Sequence, residues 1–236
     1  MTDVLDQFWR AYLYANNGSL SGMAITLWLL VLSVAMGFVI SIGLAVARVS
    51  SRRWVSLPVW LFSYVFRGTP LYVQILFIYA GIYSLDIVKG TPPLAAFFQS
   101  GFNCMVLALT LNTAAYTTEI FAGAIRATSA GEIEAARAYG MTRFTMYRRV
   151  ILPSALRRAL PAYSNEVILM LHATSLAFTA TVPDILKVAR DANSATYQTF
   201  AAYGLAALLY LCLSFTLIWL FRRFERRTLA YLGTHR

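Results

Sequence analysis

Charged residues are scarce in this chain, and acidic residues are the scarcest of them. Aspartate and glutamate together number only 10 in 236 residues, charged residues of both signs make up 13%, and hydrophobic residues make up 59%. A soluble domain of this length could not cover so much apolar surface with so few polar side chains. The composition therefore excludes an ordinary soluble protein. It predicts an all-α membrane protein with room for about five spans of roughly 20 residues each.

Cysteine and histidine are also nearly absent. Cys104 and Cys212 are isolated in or near apolar runs, and the only histidines are His172 and His235. These numbers give no support to a disulfide framework, a metal site or a bis-histidine cofactor site. No nucleophile and base are paired in the pattern of an intramembrane enzyme, so we expect no catalytic residues. The GxxxxGK[ST] pattern of ATP-binding loops is missing as well, so any ATPase must be a separate chain.

The positions of the 20 basic residues predict a membrane topology. Fifteen of them lie in three alternate gaps between apolar runs, and four lie in the other gaps. Because lysine and arginine accumulate on the cytoplasmic side, the net charge of +10 indicates topology rather than nucleic acid binding. The N-terminus is predicted outside and the C-terminus inside, with an anchor on anionic lipid at the basic tail. The inner set is Arg48, Arg52, Arg53, Arg126, Arg137, Arg143, Arg148, Arg149, Arg157, Arg158, Arg222, Arg223, Arg226, Arg227 and Arg236; the outer set is Arg10, Lys89, Lys187 and Arg190.

Hydrophobic runs divide residues 1–236, which we interpret as a single transmembrane domain, into five expected spans. An odd number of spans follows from the opposite locations of the two termini. We expect residues 1–21 to lie at the outer interface, residues 81–101 to form an external loop, and a short external helix within residues 179–199. The expected spans are 23–46, 54–82, 103–125, 156–178 and 200–221.

The second apolar run is interrupted at Arg67-Gly68-Thr69-Pro70. Pro70 removes a backbone donor, so the helix should kink or unwind there. Irregular backbone at membrane depth is tolerated only against protein or a water-filled cavity, and an arginine there is a candidate functional residue. We place Arg67, Gly68, Thr69 and Gln74 on a possible substrate path. Arg67 could equally pair with a carboxylate of a partner subunit or end a helix.

Polar residues in the third and fourth spans are further candidates for a substrate path. In the third span they are spaced by four, three and four residues, so they share one face of a helix. Such a face lines either an aqueous path or a buried hydrogen-bond network that fixes helix packing. In the fourth span one carboxylate stands next to an amide, and a lone histidine there is more often a packing residue than a ligand. The third-span residues are Asn112, Tyr116, Glu119 and Gly123; those of the fourth are Asn165, Glu166 and His172.

The longest polar interruption, Arg126 to Pro153, carries a recognisable pattern. Glu134-Ala135-Ala136 is followed four residues later by Gly140, and the segment closes with Ile151-Leu152-Pro153. Small alanines allow close docking of a helix, and glycine can end it. The segment resembles the cytoplasmic EAA loop of ABC-importer permeases, in which a short helix docks on the ATPase subunit. Without the flanking pattern, the same tripeptide would fit an ordinary amphipathic loop helix.

The resemblance extends over essentially the whole chain. RGTPLYVQ, LNTAAYTTEIFAGAIR, GEIEAARAYG and LPAYSNEVILMLHATSLAFTATVPD are similar to segments of permeases that import polar amino acids of the histidine, lysine, arginine and ornithine class. The resemblance implies a type I importer fold in the bacterial inner membrane, with no cofactor in this chain.

The partners implied by the same resemblance are a sister permease, identical or different, two ATPases that bind ATP and Mg, and a periplasmic binding protein. In that family, Glu134, Ala135, Ala136 and Gly140 would couple the permease to the ATPase. A secondary transporter or channel without an ATPase is the alternative, since it would also use an intramembrane glutamate and arginine.

Overall fold

The structure is a computed structural model that describes residues 2–16 and 18–228. His235 and Arg236 lie outside the described residues. The described part is helical except for a minimal hairpin that pairs Ala15–Asn16 with Ser19–Leu20. The helices are α1 Thr2–Leu13, α2 Gly22–Arg48, α3 Arg53–Gly68, α4 Leu71–Leu76, α5 Ile82–Ser84, α6 Asp86–Lys89, α7 Pro92–Gln99, α8 Gly101–Arg126, α9 Ala130–Ala138, α10 Arg143–Met146, α11 Leu152–Ala173, α12 Ile185–Thr196 and α13 Thr199–Thr228. Single π-helical turns, Phe77–Gly81 and Tyr147–Ile151, join α4 to α5 and α10 to α11, and Thr174–Ala180 forms a 3-10 turn after α11.

Helices α2 and α8 form the centre of the bundle. Their backbones approach closely at Gly37, where an added Cβ would lie 2.3 Å from the Cγ2 atom of Thr113. Small residues permit such contacts between helices in a membrane. Leu29 of α2 and Met105 and Leu109 of α8 are fully buried in the hydrophobic core that the two helices share. Gly37 therefore serves close packing of the two helices, whereas Gly43 has open space around it.

The two ends of α2 pack against different parts of the chain. At Gly22, a parallel bridge joins the chain to Asp184, next to the packed cluster of α1, α12 and the first turns of α13. At the other end, Ala45 packs with Ala136 of α9 and Met146 of α10. A helix of 27 residues is about 40 Å long at 1.5 Å per residue. Segments 2–13 and 185–196 therefore lie at one end of the bundle, and segment 130–146 lies at the other.

Three described helices, α2, α8 and α13, are long and apolar enough to cross a membrane, and the bent pair formed by α3 and α4–α5 is a fourth candidate. Helix α11 covers most of the expected fourth span but carries Arg157, Arg158 and Glu166. Five spans therefore remain a prediction. The expected external loop at 81–101 is wrong in detail, because it contains α6 and α7. Two prolines at the first positions of α7 favour helix initiation.

Reporter fusions test the span count directly. Fusions near residues 52, 143 and 228 are expected in the cytoplasm, and fusions near residues 90 and 190 outside. The physical reason is the alternation of basic residues between successive gaps. A cytoplasmic location for position 190 would contradict the five-span arrangement, because it would remove one crossing between α9 and α12.

A buried aspartate stabilises the end of the bundle that contains α1 and α12. Asp184 is 0% exposed, and its carboxylate caps α12 by accepting hydrogen bonds from the backbone N–H groups of Leu186 and Lys187, both at 3.0 Å. The Tyr210 hydroxyl of α13 donates to it at 3.2 Å. Burial raises the pKa of Asp184 from 3.8 to about 6, although these hydrogen bonds act in the opposite direction.

The pKa of Asp184 predicts a pH dependence of stability. Between about pH 4 and pH 6 the folded subunit holds a proton at Asp184 that the unfolded chain has released, so this residue makes stability fall as the pH rises. The effect is at most on the order of 3 kcal/mol. Asp184→Asn should remove it: the melting temperature of the wild type minus that of the variant should fall from pH 4 to pH 7. A flat difference would contradict the prediction.

Candidate functional site

The interruption of the second apolar run is a sharp bend, and side chains satisfy the backbone that the bend releases. The axes of segments 53–68 and 71–84 meet at 104°. The Phe66 carbonyl has no helical partner because residue 70 is a proline without an N–H. The Gln74 side-chain amide donates to it at 2.7 Å and to the Thr69 carbonyl at 3.0 Å. Asn112 of α8 donates to Phe66 at 3.4 Å and to the Gln74 carbonyl oxygen at 3.1 Å.

Tyr116 contacts the next residue of the bend in two ways. Its hydroxyl donates to the Arg67 carbonyl at 3.4 Å, and the Arg67 guanidinium lies 5.2 Å from the centre of its ring. The carbonyls freed by the bend are therefore bonded within the chain. These carbonyls are therefore not free to bind a substrate, and the side chains beside the bend are the better candidates.

A cavity of about 400 Å³ opens beside the bend. Glu166 of α11, only 6% exposed, is its one acidic residue. Arg67 is the one basic residue of the same lining. The cavity thus presents one carboxyl and one guanidinium across a space of small-molecule size. It is lined by Arg67, Gly68, Thr69, Pro70, Leu71, Asn112, Tyr116, Glu166, Leu169, Met170 and Ala173.

Five of the candidate path residues lie outside the cavity lining, and one of them, Gly123, is an exposed residue of α8. Glu119 forms an ion pair with Arg48 of α2, with 2.7 Å between Oε1 and Nε. His172 contacts the Ser214 hydroxyl of α13 at 3.0 Å, and Asn165 is exposed outside the cavity lining. Gln74 is also outside the cavity lining, and its amide donates to the backbone carbonyls of the bend. Helical spacing placed Glu119 with Asn112 and Tyr116, but it could not show that Arg48 ends α2 at the same depth. Among the described residues no cluster could hold a metal ion.

The loop from Arg126 to Pro153 forms the predicted short helix, α9, with a cap at each end. The Ser129 hydroxyl accepts a 3.2 Å hydrogen bond from the backbone N–H of Glu132 at the start. At the end, Gly140 has φ +71°, its N–H bonds the Arg137 carbonyl, and the Met141 N–H bonds the Ala136 carbonyl. This pair of bonds is the Schellman arrangement, which favours glycine in the left-handed conformation. The prediction that Gly140 can end the helix is confirmed.

The structure divides the residues of the EAA pattern between two faces of α9. Ala136 is only 3% exposed and packs into the cluster that contains Ala45 and Met146. Glu134, Ala135 and Gly140 are exposed on the other side. Beside them Tyr139 is 85% exposed and Phe144 75% exposed. Sequence reasoning missed these two aromatics, although large apolar side chains in the only long polar segment were a usable signal for a contact surface.

Arg158 connects this loop to α11. Its guanidinium donates to the Ser154 hydroxyl at 2.7 Å, to the Thr128 hydroxyl at 2.8 Å and to the Ala124 carbonyl at 3.4 Å. It also lies 3.5 Å from the Glu132 carboxylate in the first turn of α9. One side chain therefore ties the end of α8, the start of α9 and the helix that carries Glu166.

Loss of this tie should loosen α9 from α11 and leave the exposed face of α9 unchanged. Arg158→Gln is expected to lower the free energy of unfolding by about 1–3 kcal/mol, because it removes hydrogen bonds to a charged group. It should also lower the amount of substrate moved per ATP hydrolysed by the reconstituted complex. Arg148→Gln removes the same charge from an exposed position before α11 and is the control. Equal ratios for the two variants would contradict the role of Arg158.

A family model for the inner membrane component of binding-protein-dependent transport systems matches residues 37–230. The chain is 64% identical to the histidine/lysine/arginine/ornithine transport system permease protein HisM of Salmonella typhimurium, over 99% of this chain and 100% of the relative. It is 64% identical to HisM of Escherichia coli K12, over 98% of each chain. It is also 44% identical to the octopine transport system permease protein OccM of Rhizobium radiobacter, over 87% of this chain and 84% of the relative.

Solved structures of transporters share the fold. An amino acid ABC transporter crystallised with histidines superposes with a TM-score of 0.75 and 34% identity, over 87% of this chain and 92% of that chain. The inward-facing MetNI methionine ABC transporter gives a TM-score of 0.72 at 19% identity, over 86% and 93%, a likeness of fold alone.

Proposed function

The chain belongs to the family of inner membrane components of binding-protein-dependent transport systems, and from that membership we propose its substrates, its partners and the roles of its residues. It is a permease subunit of an ATP-driven importer located in the inner membrane. We propose that it moves basic and polar L-amino acids of the histidine, lysine, arginine and ornithine class into the cytoplasm. The observation that carries this proposal is 64% identity to HisM over nearly the full length of both chains.

Membership of the family implies an ATPase, a binding protein and a second permease as partners. We propose a heterodimer with a sister permease and two ATPase subunits that bind ATP and Mg. The exposed face of α9, with Ala135, Tyr139 and Gly140, supports an ATPase contact there. A convex helix with small residues and two neighbouring aromatics fits a groove on a partner.

For the substrate, we propose that Glu166 pairs with the cationic side chain and that Arg67 faces the carboxylate that all amino acids share. The two groups occupy one cavity, and each has the charge opposite to one end of a basic amino acid. At roughly 4 Å, such a pair is worth about 4 kcal/mol at an effective dielectric of 20, before desolvation is subtracted. A modest net energy suits a transporter, which has to release its cargo.

Reconstitution tests the proposed function. The chain, a second permease and the ATPase would be placed in liposomes with the binding protein, and uptake of radiolabelled arginine measured with and without ATP. Uptake that needs ATP hydrolysis and binding protein is expected. Uptake driven by an ion gradient without ATP would instead establish the alternative, a secondary transporter or channel. The exposed contact surface of α9 argues against that alternative, which has no use for an ATPase docking helix.

A further inference from the structure

A second cluster of charge lies at the expected cytoplasmic end of α13, outside the lining of the cavity. Arg222, Arg223, Arg226 and Arg227 are all exposed, and within residues 2–16 and 18–228 none of them forms an ion pair. The only acidic residue among them, Glu225, accepts a 2.9 Å hydrogen bond from the Ser164 hydroxyl of α11. At 100° per residue the four arginines span about 140° of the helix circumference. They form one uncompensated basic face.

This basic face continues into an apolar depression one to two turns deeper in the membrane. Phe215, Ile218 and Trp219 line it together with the four arginines, and its volume is about 460 Å³. The Arg223 guanidinium lies 5.8 Å from the centre of the Trp219 ring. Phe215 is 61% and Trp219 60% exposed, so residues 2–16 and 18–228 leave this side of α13 uncovered.

Along α13 the arginines are followed by apolar and aromatic side chains deeper in the membrane. A lipid presents a charged headgroup and hydrocarbon in the same order. Guanidinium groups bind phosphate oxygens with paired, charge-assisted hydrogen bonds. Below them an indole and a phenyl ring meet hydrocarbon at the depth where lipid acyl chains begin. An acidic segment of a soluble protein would match the charge of the arginines but would leave Trp219 and Phe215 uncovered. A phospholipid with an anionic headgroup matches both.

We propose that Arg222, Arg223, Arg226 and Arg227, with Trp219 as the floor, form a binding site for one anionic phospholipid of the cytoplasmic leaflet. The phosphate is held between the guanidinium groups, and an acyl chain lies along Trp219 and Phe215. This site differs from general attraction of a basic tail to the membrane, because it retains one lipid in a fixed place. It does not depend on which substrate is transported.

Native mass spectrometry of the assembled complex tests the site. The complex would be taken from nanodiscs that contain phosphatidylglycerol and phosphatidylcholine, and the phosphatidylglycerol retained by each permease counted. Arg222→Gln combined with Arg226→Gln is expected to reduce retention at least fivefold. Arg52→Gln combined with Arg53→Gln removes the same charge from another exposed cytoplasmic position and should leave retention unchanged. Lysine at all four positions of the site should retain less than arginine, because it loses the paired hydrogen bonds.

Three results would overturn the proposal. Equal loss in both double variants would mean general electrostatic attraction. Loss of the ATPase or of the second permease from the α13 variant, with phosphatidylglycerol retained, would assign the face to a protein partner. Displacement of phosphatidylglycerol by the same concentration of glycerol phosphate would assign it to a free phosphate.

A second measurement covers the case in which the arginine variants do not assemble. Brominated phosphatidylglycerol should quench tryptophan fluorescence more than brominated phosphatidylcholine does in the wild-type complex. That difference should disappear in Trp219→Phe, and its persistence would contradict the proposed floor.

Discussion

Replacing Gly140 with aspartate is expected to reduce transport at least tenfold while the subunit remains inserted in the membrane. An added Cβ at Gly140 meets nothing within 4 Å in this chain, so the subunit itself has room for the side chain. The side chain would project from the end of α9 beside Ala135 and Tyr139, on the face we assign to the ATPase. A carboxylate there would obstruct a closely fitted contact. Co-purification of the ATPase and ATP-driven uptake measure the effect.

Matched variants separate obstruction from backbone strain at this position. Gly140 has φ +71°, a conformation that costs most side chains roughly 1–2 kcal/mol but that asparagine and aspartate adopt more readily. Gly140→Asn therefore matches the aspartate variant in size and backbone preference but lacks its charge. We expect it to retain more transport than Gly140→Asp. Wild-type transport and ATPase association in Gly140→Asp would show that α9 is not the docking element.

The second large effect is expected at Glu166. Glu166→Gln keeps the size and most of the hydrogen bonding of this buried side chain but removes its charge. Transport of arginine and lysine should fall about tenfold, which corresponds to about 1.4 kcal/mol, and transport of neutral histidine should fall less. Protein level and ATPase association should not change. The measurement is competition among the three radiolabelled substrates in one preparation.

Glu119→Gln is the control for this experiment. Glu119 is a glutamate in the neighbouring helix, but it pairs with Arg48 outside the cavity. Its loss should affect all three substrates to the same extent, through packing of α2 on α8. If Glu166→Gln also lowered all three equally, Glu166 would have a structural role and the cation assignment would fail.

The sequence predicted features that depend on local chemistry. Proline has no backbone N–H in any context, so Pro70 alone predicted the bend. Gly140, at the end of a short alanine-rich segment, predicted the end of α9. Pro92 and Pro93 at the start of α7 carried the same kind of signal, but an external loop was expected there. Close contact at Gly37 was also predictable, because a small residue in a membrane helix has few other uses.

Features that depend on which helices meet could not be predicted in this way. Glu119 and Glu166 look alike in sequence, since each is a lone carboxylate in an apolar helix. Only the position of Arg48 at the end of α2 distinguishes them. Gln74 is a similar case. In the sequence it is only a polar residue within a span, and its hydrogen bond to the Phe66 carbonyl depends on the bend in the folded chain. The contacts of Arg158 join residues up to 34 positions apart, beyond the reach of helical spacing.

The bonding at the bend also limits how this subunit can move. The N–H that the Phe66 carbonyl would need to close the helix is missing from residue 70 in every conformation, because it is missing from proline itself. The break between α3 and α4 is therefore a property of the covalent structure, and no change of conformation can restore this helical hydrogen bond. The Gln74 amide takes the place of the missing donor, so a movement that separated Gln74 from Phe66 would leave this carbonyl without its shortest hydrogen bond.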